Sequence, residues 1–146
     1  MRQSKTAAVS HTNNNITEDT TMKAKISTTK APAAIGPYSQ GVDLGSLVYT
    51  SGQLGIDPAT GEMPDGVEAQ AKLALENVKA ILAEAGLEMS SIIKTLVFIK
   101  DMNDFGKVNA IYAEYINGPV LPARSCVEVA ALPKGGLVEI EVIAKK

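Results

Sequence analysis

The sequence has very few of the residues from which disulfide frameworks and metal sites are built. Its 146 residues include one cysteine, Cys126, and one histidine, His11. A single thiol cannot form an internal disulfide, and one Cys with one His falls short of the ligand set of a zinc site. The sequence therefore predicts neither a disulfide framework nor a metal centre.

Aromatic residues, basic charge and long apolar runs are also scarce. Trp is absent, Phe occurs twice, and the formal net charge is −2. Nucleic-acid binding draws on basic surfaces and aromatic platforms, so we expect no nucleic-acid partner. No apolar run approaches the roughly 18–20 residues that a membrane span needs, so we expect no membrane partner. With 45% apolar and 21% charged residues, the sequence is typical of a globular cytoplasmic protein.

The first 21 residues differ in composition from the rest. MRQSKTAAVSHTNNNITEDTT is rich in Ser, Thr and Asn and has no helical or strand period. Such a segment buries too little apolar surface to become ordered, and it lacks the apolar centre of a secretory signal. We predict a disordered tail at 1–21, or an upstream extension before Met22, and one folded domain at 22–146.

Apolar periodicity in that domain predicts an α+β fold. Apolar residues recur at three- and four-residue steps over 67–85, which predicts a helix that Gly86 ends. A second helix is predicted from Asp101 or Asn103 to 116, with an apolar face of Phe105, Val108, Ile111, Tyr112 and Tyr115. Strands are predicted at 25–28, on both sides of a turn at 45–46, and at 95–99, 124–129 and 137–144. The order is close to βββαβαβ, and a single mixed sheet with two helices on one face would bury the apolar residues.

The last two predicted strands carry polar side chains at alternate positions. In one of them Arg124, Cys126 and Glu128 alternate with valines, and in the other Glu139 and Glu141 alternate with core residues. We therefore predict that the arginine, the thiol and the carboxylates share the sheet face away from the helices. A monomer would leave this face wet, whereas an oligomer would enclose a polar cleft.

Three residues on this predicted face could carry chemistry. The planar fork of Arg124 suits bidentate capture of a small carboxylate, and the alternative is a surface ion pair. Cys126 has no His in the domain to activate it, which favours a role for its backbone over thiolate chemistry. Glu139 would join them if the last two strands paired with Cys126 opposite it. It could then orient water or carry protons, and otherwise it is a solvated strand residue.

Two further segments could contribute polar groups. Tyr38 lies in AIGPYSQG, where it is either a hydrogen-bond donor to a ligand or a packed loop aromatic. Ser51 and Gly52, in TSGQLG, offer a hydroxyl and a backbone N–H, or only a bend. No phosphate loop, HExxH or GxSxG motif occurs. The residues alone thus predict a small oligomeric domain with a polar cleft that contains an arginine.

Four segments together resemble the RidA/YjgF family: APAAIGPYSQG, YTSGQLGID, KTLVFIKDMNDFGKVN and PARSCVEVAALPKGGLVEIEVIA. The resemblance covers residues 25–146, and PARSCVEV with the downstream glutamate is its most specific part. It implies a chorismate-mutase-like α+β fold and a homotrimer with active sites between subunits. Arg124 would bind the substrate carboxylate, Glu139 would position water, and Cys126 would act mainly through its backbone. Other cleft positions of the family match Tyr38, Ser51, Gly52 and Asn109.

The implied reaction is the hydrolysis of reactive enamines and imines, such as 2-aminoacrylate and 2-aminocrotonate, to 2-keto acids and ammonia. It uses no cofactor. The segment 117–121 is about two residues shorter than in enteric members of the family, which bears on substrate range and on the role of Asn109. Two alternatives stay open: a non-catalytic trimer that senses 2-keto acids through Arg124, and a ribonuclease.

Overall fold

A computed structural model describes residues 23–146, so the predicted tail at 1–21 lies outside the described residues. The described chain contains one sheet of seven strands and two α-helices. The strands are β1 (Ala24–Ile26), β2 (Gly41–Asp43), β3 (Leu47–Thr50), β4 (Gln53–Leu54), β5 (Ile92–Ile99), β6 (Ala123–Glu128) and β7 (Val138–Lys145). The helices are α1 (Val67–Glu84) and α2 (Phe105–Tyr115).

The sheet has the order β1-β2-β3-β7-β5-β6, and β4 also pairs with β7. All pairs are antiparallel except β5 and β6, which are joined through α2 and run parallel. A strand–helix–strand connection is the usual way to place two parallel strands side by side. The predicted α+β class with a single mixed sheet is confirmed, and β7 lies near the centre of the sheet.

Helix α1 was predicted within one residue of its observed end. The alanines and leucines of its apolar stripe are buried, together with Gln70 and Asn77. Gly86 has a left-handed φ of 75°, and the N–H groups of Gly86 and Leu87 donate to the carbonyls of Ala83 and Leu82. This pattern is a Schellman motif, so Gly86 ends the helix as predicted.

The hydrophobic core lies between the helices and one face of the sheet. Alternate residues of β5 and β7 face it, and Val97, Ile99, Val138, Ile140 and Val142 are almost fully buried. The intervening residues of the same strands, such as Leu96, Phe98, Glu139 and Glu141, are only half-buried because no helix covers that side. We call this second side the bare sheet face, and it determines the surroundings of Glu139.

Two elements differ from their predicted form. The strand predicted after the turn at 45–46 is broken at Ser51 and Gly52, and its two parts, β3 and β4, pair with different parts of β7. The second helix begins at Phe105, later than predicted, because Asp101 caps a 3₁₀ turn at Met102–Asp104 and accepts a hydrogen bond from the N–H of Asn103 (2.9 Å). The break at Ser51 and Gly52 matters for the site.

Two other kinds of feature are absent from residues 23–146. No helix there combines the length and the apolar character needed to cross a membrane. The same residues contain no group of three or more His, Cys, Asp or Glu side chains placed to hold a metal ion.

Candidate functional site

The residues predicted to form one site lie in two clusters within a single chain. The first surrounds Glu139 on the bare sheet face, and the second surrounds Arg124 beside α2. Glu139 is grouped with Tyr38, Ser51 and Gly52, whereas Arg124 is grouped with Asn109 and Cys126.

The separation of the clusters follows from strand register. Cys126 lies opposite Val97, and Arg124 lies opposite Thr95. Residues in register on neighbouring strands point to the same side of a sheet, and Val97 and Thr95 are buried against the helices. Arg124 and Cys126 therefore lie on the helix side, and their predicted position on the other face is wrong.

Glu139 occupies the opposite side. It is in register with Leu54 of β4 and Phe98 of β5, both of which belong to the bare sheet face. The last two strands do not pair, because β5 lies between β6 and β7. The pairing that would have placed Cys126 opposite Glu139 therefore does not occur, and Glu139 faces a cavity.

The surroundings of Glu139 favour proton exchange. Its half-buried side chain is flanked by Leu54 and Phe98, which lie opposite it in register on the two neighbouring strands. Burial raises the pKa of the Glu139 carboxyl, and the charge of Glu141 on the same face raises this pKa further. A carboxyl group whose pKa is shifted toward neutrality is better suited to accept and return a proton.

Gly52 is required by the position of Glu139. A Cβ atom added to Gly52 would lie 2.7 Å from Cδ and 3.0 Å from Cγ of Glu139, closer than side chains tolerate. The break between β3 and β4 thus brings bare backbone against the carboxyl group. The neighbouring Ser51 donates its hydroxyl to the carbonyl of Ser39 (2.5 Å) and its N–H to the carbonyl of Gln40 (2.8 Å). Ser51 therefore anchors the break to the preceding loop.

A cavity of about 480 Å³ adjoins Glu139. Tyr38 and Gly52 line it, as do the charged residues Asp57 and Lys134, and most of the remaining wall is apolar. The Tyr38 hydroxyl oxygen accepts a hydrogen bond from the N–H of Ile35 (3.2 Å), which leaves its own proton available for donation. The sequence reasoning missed Asp57 and Lys134, since both lie in turns that carry no recognisable motif.

The second cluster holds the guanidinium group of Arg124 against α2. Its Nη1 donates to Oδ1 of Asn109 (2.7 Å), and its Cζ lies 4.8 Å from the ring centroid of Tyr112 and 5.5 Å from that of Phe105. These three residues occur at positions i, i+4 and i+7, so they share one face of α2. Within residues 23–146, Arg124 forms no ion pair with a carboxylate, which speaks against the surface-pair alternative.

One member of this cluster, Phe105, corrects the predicted apolar face of α2. Of the five residues assigned to that face, Val108 and Tyr112 are buried, while Ile111 and Tyr115 are only partly buried. Phe105 is 37% exposed and contacts the Arg124 guanidinium instead of the core. An aromatic residue that contacts a cation at the surface can occur at the same helical spacing as a core residue. The sequence pattern alone therefore does not distinguish these two roles.

Cys126 is half-buried and packs against the core. Burial raises the pKa of its thiol, while the nearby charge of Arg124 lowers it by a smaller amount. The net upward shift favours the neutral thiol, which is a poor nucleophile. Segment 117–121, which is separated from β6 by one residue, exposes Val120 (85%) and Leu121 (62%).

Comparisons with known proteins extend over this whole arrangement. Residues 28–146 match a protein family described as Endoribonuclease L-PSP. A Haemophilus influenzae protein named RutC family protein is 61% identical over 122 residues, which are 82% of this chain and 94% of that protein. A Salmonella typhimurium protein named 2-iminobutanoate/2-iminopropanoate deaminase is 58% identical over 125 residues, 84% of this chain and 98% of that protein.

A solved structure agrees with the fold. The crystal structure of Escherichia coli TdcF with bound serine has a TM-score of 0.82 and 54% sequence identity to this chain. The match covers 84% of this chain and 98% of that one. The family match over residues 28–146 includes strands β2 to β7, both helices and both clusters.

Proposed function

Because the chain belongs to the RidA/YjgF family, we propose that it is a deaminase that hydrolyses 2-imino acids and their enamine tautomers to 2-keto acids and ammonia. The Salmonella relative named for this activity is 58% identical to the chain. Arg124 carries the proposal: its guanidinium is held by Asn109, Tyr112 and Phe105 and pairs with no carboxylate of residues 23–146. A small carboxylate ligand would complete it.

The substrate carboxylate binds Arg124 under this proposal. Asn109 uses one of the five guanidinium N–H groups, and the remaining donors offer an edge for a bidentate contact. The Escherichia coli relative was crystallised with serine, an amino acid that carries such a carboxylate. Substrates of the proposed class, 2-aminoacrylate and 2-aminocrotonate, share this group, so one anchor serves them all.

Hydrolysis then proceeds at the carbon next to that carboxylate. The enamine gains a proton at C3 and loses one from its nitrogen, which gives the 2-imino acid. Water then adds to C2, so that its oxygen bonds to the carbon and one of its protons passes to the nitrogen. In the resulting carbinolamine the hydroxyl proton passes to the amine, which leaves as ammonia while the keto group forms. Glu139 accepts the proton of the attacking water and returns it to the departing amine, a cycle that its raised pKa favours.

Under this proposal the two clusters form one site where two copies of the chain meet. Arg124 lies on the edge strand β6, whereas Glu139 lies on the bare sheet face. We propose a homotrimer in which the Arg124 cluster of one subunit meets the Glu139 cavity of the next. The apolar residues that such packing would cover include Ile35, Tyr49, Val120, Leu121 and Val127, all exposed in the single chain.

The remaining predicted residues take supporting roles in this proposal. Tyr38 donates a hydrogen bond to the ligand from the wall of the cavity, and Gly52 gives Glu139 its space. Ser51 fixes the loop that carries Gly52. Asn109 orients Arg124 on the other cluster, and Cys126 contributes through its backbone because its thiol stays protonated.

Neither alternative function is favoured by a feature of the site. Ribonucleases that use acid–base catalysis rely most often on histidine, and residues 23–146 contain none. A sensor of 2-keto acids would use the same Arg124 contact, and it differs from the enzyme only in turnover. An assay of product release therefore separates the sensor from the deaminase.

The direct test measures ammonia and 2-keto acid release from freshly generated 2-aminoacrylate. We expect Arg124→Ala to lower kcat/KM by about tenfold to a thousandfold, since a charge-assisted bidentate contact is lost. Arg124→Lys should keep only part of the wild-type kcat/KM, because an ammonium group lacks the planar fork of a guanidinium. Full activity of Arg124→Ala would refute the proposal, and binding of pyruvate by a wild-type protein that releases no ammonia would establish the sensor.

A mixing experiment tests the shared site. Arg124→Ala and Glu139→Gln are each prepared, mixed in equal amounts, dissociated and reassembled. In every mixed trimer one of the three sites would pair an intact Arg124 with an intact Glu139, so random mixing should return about a quarter of wild-type activity. A mixture as inactive as its parents, with subunit exchange verified by mass, would place both residues of each site in one subunit.

A further inference from the structure

We infer that Thr95 and Tyr112 form a positioning pair that sets the orientation of Arg124 and thereby the affinity for the substrate carboxylate. The inference rests on the proposed function, and it adds Thr95 to the residues that hold Arg124 and couples it to Tyr112. Neither residue has a contact with the cavity of Glu139, and both lie on the helix side of the sheet.

The pair is defined by one buried hydrogen bond. Oγ1 of Thr95 and the hydroxyl oxygen of Tyr112 are 2.8 Å apart, and the two residues are 0% and 8% exposed. Thr95 lies in β5 directly opposite Arg124, because β5 pairs in register with β6, the strand that contains the arginine. The hydrogen bond therefore joins α2 to the sheet at the row of Arg124.

The tyrosine ring is the surface on which the guanidinium lies. Arg124 Cζ is 4.8 Å from its centroid, closer than the 5.5 Å to the Phe105 ring. The hydroxyl group of Tyr112 is hydrogen-bonded to Thr95, which fixes one end of the ring, and the face of the ring contacts Arg124. Because a cation–π contact depends on the position of the ring, loosening Tyr112 should loosen the arginine.

The fold alone gives no reason for a pair of buried hydroxyl groups at this position. Two hydroxyl groups in the core need each other as partners, and an apolar pair of the same shape would satisfy the fold about as well. Thr95 interrupts the apolar residues of β5 that face the core, Val97 and Ile99. A role in holding Tyr112 gives a reason for a hydroxyl group at position 95, among core residues of β5.

The test compares Tyr112→Phe with Tyr115→Phe. Both changes remove one tyrosine hydroxyl from α2, but the Tyr115 hydroxyl donates to Glu76 (2.7 Å) and does not contact Arg124. We expect Tyr112→Phe to raise KM for 2-iminopropanoate, and Kd for pyruvate, by about threefold to tenfold with kcat within about twofold. Tyr115→Phe should change thermal stability and leave both constants near their wild-type values.

Two further variants keep the outcome interpretable. Thr95→Val with Tyr112→Phe removes both hydroxyls, so no buried donor is left unpaired, and it should raise KM as Tyr112→Phe does while remaining folded. In an Arg124→Ala background, Tyr112→Phe should have no further effect on KM. Equal effects of Tyr112→Phe and Tyr115→Phe, or an undiminished effect in that background, would overturn the inference. An inactive wild-type protein would instead refute the proposed function.

Discussion

Gly52→Ala should inactivate the protein although it removes no functional group. The added Cβ would lie 2.7 Å from Cδ of Glu139, whereas ordinary van der Waals contact begins at 3.4 Å. The carboxyl carbon must therefore retreat by at least about 0.7 Å, and a displacement of about 1 Å costs on the order of 10²-fold in rate. The φ angle of Gly52 is not left-handed, so the backbone accepts alanine and the loss falls on the side chain of Glu139.

We expect a fall in kcat of about 100-fold with a smaller change in KM, because the carboxylate anchor Arg124 is untouched. The assay is initial-rate release of 2-keto acid, with folding checked by circular dichroism and assembly by light scattering. Gly106→Ala is the matched control, since a Cβ there meets nothing within 4 Å. In a Glu139→Ala background, Gly52→Ala should cost little more. If Gly52→Ala alone keeps more than half of wild-type kcat, the assigned role of Glu139 is wrong.

Two more predictions concern titratable groups. Under the proposed mechanism the Glu139 carboxylate accepts a proton, so kcat/KM should fall as pH drops through the raised pKa of Glu139. Removing the second cause of the shift with Glu141→Gln should move this acid limb to lower pH, while Glu68→Gln in α1 should not. A raised carboxyl pKa means that the stability contribution of Glu139 is greatest below its unfolded pKa and is lost as pH rises, so Glu139→Gln should raise Tm at neutral pH. Cys126→Ala should keep most activity. Iodoacetamide should modify the native thiol slowly at pH 7, because burial raises the pKa of Cys126. An inactive Cys126→Ala variant beside an active Glu139→Gln variant would instead assign the chemistry to the thiol and not to Glu139.

Local patterns were sufficient for much of the fold. The spacing of apolar residues and the glycine at 86 predicted α1 and its end, because both signals act within one or two helical turns. The turn at Gly45 was likewise predicted, and there the N–H of Leu44 donates to the carbonyl of Leu47 (2.8 Å). These features depend on neighbours in sequence, which is why one sequence was enough.

The side on which Arg124 lies was not predicted correctly. Strand β6 is an edge strand, exposed along most of its length, so its alternation does not mark one side as core. The decisive contact is the parallel pairing of β6 with β5, which is long-range in sequence. The order strand–helix–strand could have suggested it, because such units place their strands side by side in parallel. The contacts of Tyr112 and Phe105 with Arg124 were not predicted for a related reason. The spacing of aromatic residues along a helix does not reveal what their rings contact.

The attachment of the two clusters to different elements has an evolutionary consequence. Arg124 is oriented by side chains of α2, whereas Glu139 is enclosed by β4, β5 and the break before β4. Under the proposed function, substitutions on the face of α2 that contacts Arg124 would change how tightly a carboxylate is held without disturbing the proton-transfer group. Relatives that share the sheet but differ along this face of α2 would then differ in substrate affinity before they differ in the reaction itself.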